Sequence, residues 1–249
     1  MKGDFYMKTH EVAVITGASK GLGRALALAF ASKGYDLGIC ARNEEELENT
    51  AKQAQDMGVN VVSVAADASL SHDVDRLISV IEDAYGKIDV LINNASTFGP
   101  GPTLLLDYPS EKFEEVIRIN TLVPFLVTKR VLPGMLARRS GSIINVTSEV
   151  GKIGYEGWGA YSVSKFGVEG LTSVWADELK GTGVRINLVD PGEMDTRMHN
   201  IAVPDCDYDL ASPEETVDVF LYLATTKADK IHGKRFESQS FVLQGGGKS

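Results

Sequence analysis

Cysteine is scarce. The 249-residue chain has two, Cys40 and Cys206, too few for a disulfide framework, and that fits a reducing, cytoplasmic setting. The four histidines, His10, His72, His199 and His232, lack ligand spacing, so no metal site is read. Long apolar runs are missing too. No stretch approaches the roughly 20 residues that cross a bilayer, so no membrane partner is expected, and residues 1–10 show no signal-peptide pattern. Positive charge is in short supply: 25 Lys and Arg stand against 34 Asp and Glu, a net charge of −9. A nucleic-acid partner needs a basic face, so that class is set aside.

What is present is a regular alternation. Residues 11–16 are a nearly continuous apolar run, the mark of a strand buried on both faces of a parallel sheet. Further strands are expected at 36–41, 59–65, 89–92, 141–147, 185–189 and 240–243. Helical patterns fall at 24–32, 44–57, 72–85, 110–135, 160–179 and from 213 to about 223. Asn43 with Glu46, and Ser212-Pro213 with Glu215, read as helix starts. Alternation of this kind means an α/β, doubly wound parallel sheet. No linker or repeat divides it, so residues 11–249 read as a single domain behind an extension at 1–10. The stretch at about 194–212 lacks periodicity and is expected to be a lid or a disordered link.

Between the first strand and its helix stand Gly17, Gly21 and Gly23. Glycines let a phosphate approach the backbone, and a helix N-terminus offers free N–H groups and a positive dipole end. The spacing is G-x-x-x-G-x-G rather than the common G-x-G-x-x-G. The second strand ends in Ala41-Arg42, where an NAD-binding unit would place a carboxylate. A guanidinium there suits a 2′-phosphate, with Lys20 as a second cation, or else is a solvated loop residue. Asp67 either accepts from an adenine amine or begins a turn.

Tyr161 and Lys165 lie four apart on one helix face. A fixed cation beside a phenol favours the phenolate, which makes a proton-transfer pair. Asn120 sits in an apolar helix as either a core amide or a functional group. Gly17, Arg42, Asp67, Asn94, Ser148 and Pro191 all fall at strand C-termini, the edge where such sheets bind ligands.

Together, Thr16-Gly17-Ala18-Ser19-Lys20-Gly21-Leu22-Gly23, Asn93-Asn94-Ala95, Asn120, Ser148, Tyr161-x-x-x-Lys165 and Pro191-Gly192-x-x-x-Thr196 resemble the short-chain dehydrogenase/reductase superfamily. The likeness is to its single-domain branch, near the 3-oxoacyl-carrier-protein-reductase-like members, over residues 11–243. It implies a Rossmann-type fold of about seven strands with helices on both faces. It implies NADP(H) as cofactor, a ketone or aldehyde interconverted with an alcohol, and a homotetramer or homodimer. Tyr161 would be the general acid or base, Lys165 would lower its pKa and hold the ribose, and Ser148 would steady charge on the substrate oxygen. Asn120 would hold a relay water behind Lys165. Gly17, Ser19, Gly21, Leu22 and Gly23 would cradle the pyrophosphate. Asp67 and Ala68 would lie near adenine and Asn94 near the adjoining ribose. Pro191, Gly192, Met194 and Thr196 would border the nicotinamide.

The chain departs from that pattern at Ser96, where glycine is usual, and at Gln244, where Asp is common. Glu149 either contacts substrate or faces solvent. Phe98, Tyr155, Trp158 and Tyr208 imply an aromatic pocket. The competing reading is a non-enzymatic NADP(H)-binding sensor or scaffold on the same fold.

Overall fold

The computed structural model describes residues 10–242. Seven strands form one sheet: β1 (Val12–Thr16), β2 (Asp36–Ala41), β3 (Val61–Ala65), β4 (Val90–Asn93), β5 (Gly141–Val146), β6 (Val184–Asp190) and β7 (Arg235–Glu237). Their order is β3-β2-β1-β4-β5-β6-β7, and every pairing is parallel. The helices are α1 (Gly21–Ser32), α2 (Glu44–Gln55), α3 (Ser71–Tyr85), α4 (Ser110–Ile117), α5 (Val123–Arg138), α6 (Gly159–Glu178), α7 (Arg197–Ala202) and α8 (Asp218–Ala224).

Alternation within the strands explains the layers. Ala13 and Ile15 of β1 pack with Leu26, Phe30 and Phe220 of α1 and α8. Val12 and Val14 point the other way, onto Ile78, Val131 and Ala176 of α3, α5 and α6. Both faces are covered, so the strands read as apolar throughout. The chain runs outward from β1 in both directions, which opens a crevice beyond the ends of β1 and β4.

A buried polar ladder holds the register. Asn93 of β4 donates to Asn145 Oδ1 of β5 at 2.7 Å and to Thr128 Oγ1 of α5 at 3.0 Å. Asn145 in turn donates to Thr172 Oγ1 of α6 at 2.8 Å. The two asparagines are direct register partners.

Two expectations change. The helix expected at 110–135 is broken by a π-helical turn, Arg118–Leu122, with the Val123 N–H bonded to the Arg118 carbonyl. Pro124 has no N–H to give the Asn120 carbonyl, so the α-helical register fails there. The last strand is β7, not residues 240–243. Ser238–Ser240 is a 3₁₀ turn, and Phe241 and Val242 lie outside the sheet. Charged Arg235 and Glu237 hid an edge strand, where charge is common. In the stretch 194–212, expected as a lid or a disordered link, Met194 and Ala211 meet in a parallel bridge, with α7 between them. Both expected starts hold. Asn43 accepts the Glu46 N–H at 3.0 Å, and Ser212 and Glu215 form a capping box, although it opens a 3₁₀ turn ahead of α8. Leu243, Gln244 and most of the 1–10 extension lie outside the described residues.

Phe30 anchors α1, and with it the glycine turn, by filling the core at 0% exposure. Phe30→Ala is expected to lower unfolding free energy by about 3–5 kcal/mol, read by denaturant titration; a loss under about 1 kcal/mol would show that α1 is held otherwise.

Candidate active site

One cleft of about 1740 Å³ runs along the C-terminal edge of the strands. A single small-ligand pocket is typically about 300–1,000 Å³, so this space admits two ligands end to end. At one end lies the glycine turn. Gly17 takes φ +69°, and a Cβ on it would stand 2.8 Å from Ala95 Cα; a Cβ on Gly23 would collide with the Gly17 carbonyl oxygen. The turn therefore closes only with glycine at both positions, leaving bare backbone at the start of α1.

Asn94 braces this turn. Its amide donates to the carbonyls of Thr16 at 2.9 Å and Gly17 at 3.2 Å. Thr16 Oγ1 accepts the N–H groups of Asn94 and Ala95, each at 3.0 Å. Ser19, Leu22, Asp67 and Ala68 line the cleft beside it. The Asp67 carboxylate accepts the Ser69 N–H at 3.0 Å, closing a turn. Lys20 lies 3.5 Å from Glu46, so its charge is shared. Arg42 is exposed, lines the cleft and has no ion-pair partner among the described residues.

At the other end, α6 brings Tyr161 and Lys165 to the cleft on one face. The Tyr161 ring packs against Phe98 at 5.3 Å and Trp158 at 6.1 Å between centroids. The Ser148 and Ser96 hydroxyls lie near its phenol and favour ionisation, but burial, aided by the Asp190 carboxylate, pushes the phenol well above its ordinary range. The expected lowering by Lys165 is not seen. The Lys165 ammonium donates to the Val146 carbonyl at 3.0 Å and sits 5.4 Å from the ring centroid. Burial lowers its own pKa to about 8.

Asn120 is fully engaged through its amide group. Oδ1 accepts the Thr97 N–H at 2.8 Å, and Nδ2 donates to the Thr97 carbonyl and Ser164 Oγ, both at 2.9 Å. It ties the loop after β4 to α6. Gly192 turns the chain at φ +73° after Pro191. Thr196 Oγ1 accepts the His199 N–H at 3.2 Å, capping α7. Met194 also lines the cleft. Glu149 is exposed at the rim, and after burial its carboxylate raises the pKa of the nearby Tyr155 phenol. Tyr208 stands outside the lining, donating to Glu193 at 2.9 Å.

Residue patterns missed a buried brace behind this end. Arg235 donates to Asp190 Oδ2 at 2.7 Å and to Glu169 Oε1 at 3.1 Å. Glu169 also accepts from Thr147 Oγ1 at 2.8 Å, next to Ser148. The brace joins β5, α6, β6 and β7. Only Glu169 gave a signal, standing one helical turn after Lys165. His199, buried on α7 and lining the cleft, was missed as well.

The fold and this edge define a class: α/β proteins that take a nucleotide at the switch point of a parallel sheet. The chain belongs to the short-chain dehydrogenase family, whose sequence model matches residues 11–206, and with it to the oxidoreductases. The 3-oxoacyl-(acyl-carrier-protein) reductase of Thermotoga maritima is 33% identical over 234 residues, covering 90% of this chain and 94% of that one. A Shigella flexneri short-chain dehydrogenase complexed with NADP has a TM-score of 0.85 at 29% identity, over 92% and 97% of the two chains. An NAD+-bound xylitol dehydrogenase has a TM-score of 0.84 at 25% identity, over 92% and 98%. No helix among the described residues is long and apolar enough to cross a membrane.

Arg235, Asp190 and Glu169 have side chains 11%, 9% and 20% exposed. Arg235→Met leaves two carboxylates without their cation and is expected to cost about 3 kcal/mol of stability. A melting temperature equal to that of the parent protein would show that the brace is dispensable.

Proposed function

We propose that the protein is an NADP(H)-dependent oxidoreductase that interconverts a ketone or aldehyde with an alcohol. One observation carries this reading. A phenol, a hydroxyl and a buried ammonium share one end of a cleft whose other end is a glycine turn beside the Arg42 guanidinium. The cradle fits a dinucleotide. Side chains are excluded from the turn at Gly17 and Gly23, and β2 ends in Ala41-Arg42, with no carboxylate at either position. Arg42 would hold the 2′-phosphate, the turn the pyrophosphate, and Lys165 the nicotinamide ribose.

The bound dinucleotide would supply a hydride to the carbonyl carbon. Tyr161 holds its proton at neutral pH, so it suits donation to the substrate oxygen as charge develops there. Ser148 would donate a hydrogen bond to the same oxygen. Lys165, with its pKa near 8, exchanges a proton readily near neutrality and stands one helical turn from the phenol. Asn120 would act by positioning, since its amide holds Thr97 and Ser164. The aromatic wall of Phe98 and Trp158 would exclude water from the reacting oxygen.

Tyr161→Phe is expected to cut kcat for reduction of a carbonyl panel by at least about a thousandfold, within the span attributed to general acid catalysis, while NADPH still binds. Activity within tenfold of the parent enzyme would refute the assignment. Arg42→Ala is expected to raise KM for NADPH at least about tenfold and leave KM for NADH within twofold, because the lost contact is a charge-assisted one to a phosphate only one of them carries. Equal effects on both would place the 2′-phosphate elsewhere.

A further inference from the structure

A hydroxyl shut away from water needs a partner, and an unpaired one is available to a charge that forms beside it. Ser96 carries such a hydroxyl, at one of the positions where the chain departs from the family pattern. Its Oγ is buried and has no hydrogen-bond partner among the described residues. Being sealed from solvent, it has protein rather than a ligand within its reach. The backbone there is clamped on both sides. Before it, the Asn94 and Ala95 N–H groups both donate to Thr16 Oγ1. After it, the Thr97 N–H and carbonyl both bond the Asn120 amide. That amide also donates to Ser164 Oγ, and the Ser164 hydroxyl donates to the Tyr161 carbonyl at 2.6 Å. The loop that holds Ser96 is thus tied through Asn120 to the helical turn that holds Tyr161. Phe98, two residues on, packs its ring against the Tyr161 ring, and the Tyr161 phenol lies near the Ser96 hydroxyl.

We propose that Ser96 is a positioning residue that acts through Tyr161: its hydroxyl donates to the phenol oxygen as that oxygen gives up its proton. This rests on the oxidoreductase reading above. In reduction the carbonyl carbon gains a hydride from NADPH, which becomes NADP+, and the carbonyl oxygen gains the Tyr161 proton. The phenol O–H bond breaks, the alcohol O–H bond forms, and a phenolate is left beside Ser96, which keeps its own proton. A hydrogen bond to an ionised oxygen is about twice as strong as one between neutral groups, so the contact favours the phenolate. Contacts of this kind are often long in the free protein and tighten in the reacting complex. The charges facing the phenol are the Asp190 carboxylate of β6, which opposes ionisation, and the Lys165 ammonium of α6. Arg235 of β7 and Glu169 of α6 stand behind Asp190. Glu149, after β5, and Arg197 and His199 of α7 line the same end. All of them stay in place when Ser96 is changed.

The test places 2,3,5-trifluorotyrosine, a more acidic phenol, at position 161 of the NADP+-loaded protein and follows its fluorine NMR signal with pH. Ser96→Ala is expected to move the ionisation midpoint up by about one pH unit or more, the loss of a hydrogen bond to a charged group. Ser96→Thr keeps the hydroxyl and should stay close to the parent protein, with melting curves confirming that both variants fold. Equal midpoints in the parent protein and Ser96→Ala overturn the proposal, as does a Ser96→Thr midpoint as high as that of Ser96→Ala. So does a parent signal still protonated at about pH 10, because a phenolate held by a donor forms earlier. With tyrosine at 161, NADPH-dependent reduction of 4-nitrobenzaldehyde, cyclohexanone and ethyl acetoacetate is then measured. Ser96→Ala should lower kcat at least about tenfold with little change in KM, and an unchanged kcat would overturn the role in proton transfer. A parent protein that reduces none of the three would defeat the oxidoreductase reading, while the difference in midpoint would still stand for the Ser96 contact.

Discussion

The hydrogen bond from Asn93 to Asn145, buried between β4 and β5, ties two strands whose ends carry opposite halves of the cleft. A strand that slipped by one residue would turn every side chain to the other face. It would put an amide against leucines and isoleucines, where an unpaired polar group is costly. The ladder through Thr128 and Thr172 extends the same penalty to α5 and α6. With the register held, Asn94 meets the glycine turn on one side, and Ser148, one step past Thr147, meets Tyr161 on the other. The cleft follows from parallel strands in fixed register, all ending on one edge.

Burial shapes the chemistry of that edge more than pairwise charge does. Tyr161 and Lys165 are both shut away from water, so each is driven toward its neutral form. The phenol keeps its proton and the ammonium holds its own less firmly. Asp190 acts against the lysine shift and adds to the tyrosine one. Arg235 lies between Asp190 and Glu169 and offsets their field. The same guanidinium ties β7 to the strands beside the reacting end, which makes the edge strand part of the site's support.

Much of this was legible along the chain. The apolar run at Val12–Thr16, the glycines at 17, 21 and 23, and the spacing of Tyr161 and Lys165 gave strand, turn, helix and pair. These signals are local, set by a period, a missing side chain or a fixed step along a helix. The π-helical turn at Asn120 had a visible cause in Pro124, which stands midway in the helix expected at 110–135, where a proline breaks the hydrogen-bond ladder. β7 escaped notice because Arg235 and Glu237 face polar surroundings at the sheet edge. The course of 194–212 was not legible because its ends are joined by a backbone bridge between Met194 and Ala211, which leaves no mark in side-chain pattern.

By itself, the sequence determined the alternating strands and helices, the bare turn where a phosphate can lie, and the residue types at the strand ends, since each follows from steric or periodic rules within a few residues. Tertiary structure decided which of those side chains have hydrogen to give and which are already engaged. Asn120 and Asn94 became braces, His199 was buried against Glu193 and Tyr208, and the Tyr161 phenol was pushed up rather than down. The physical reason is that protonation and pairing depend on water exclusion and on partners from distant elements, and those exist only once the layers have closed.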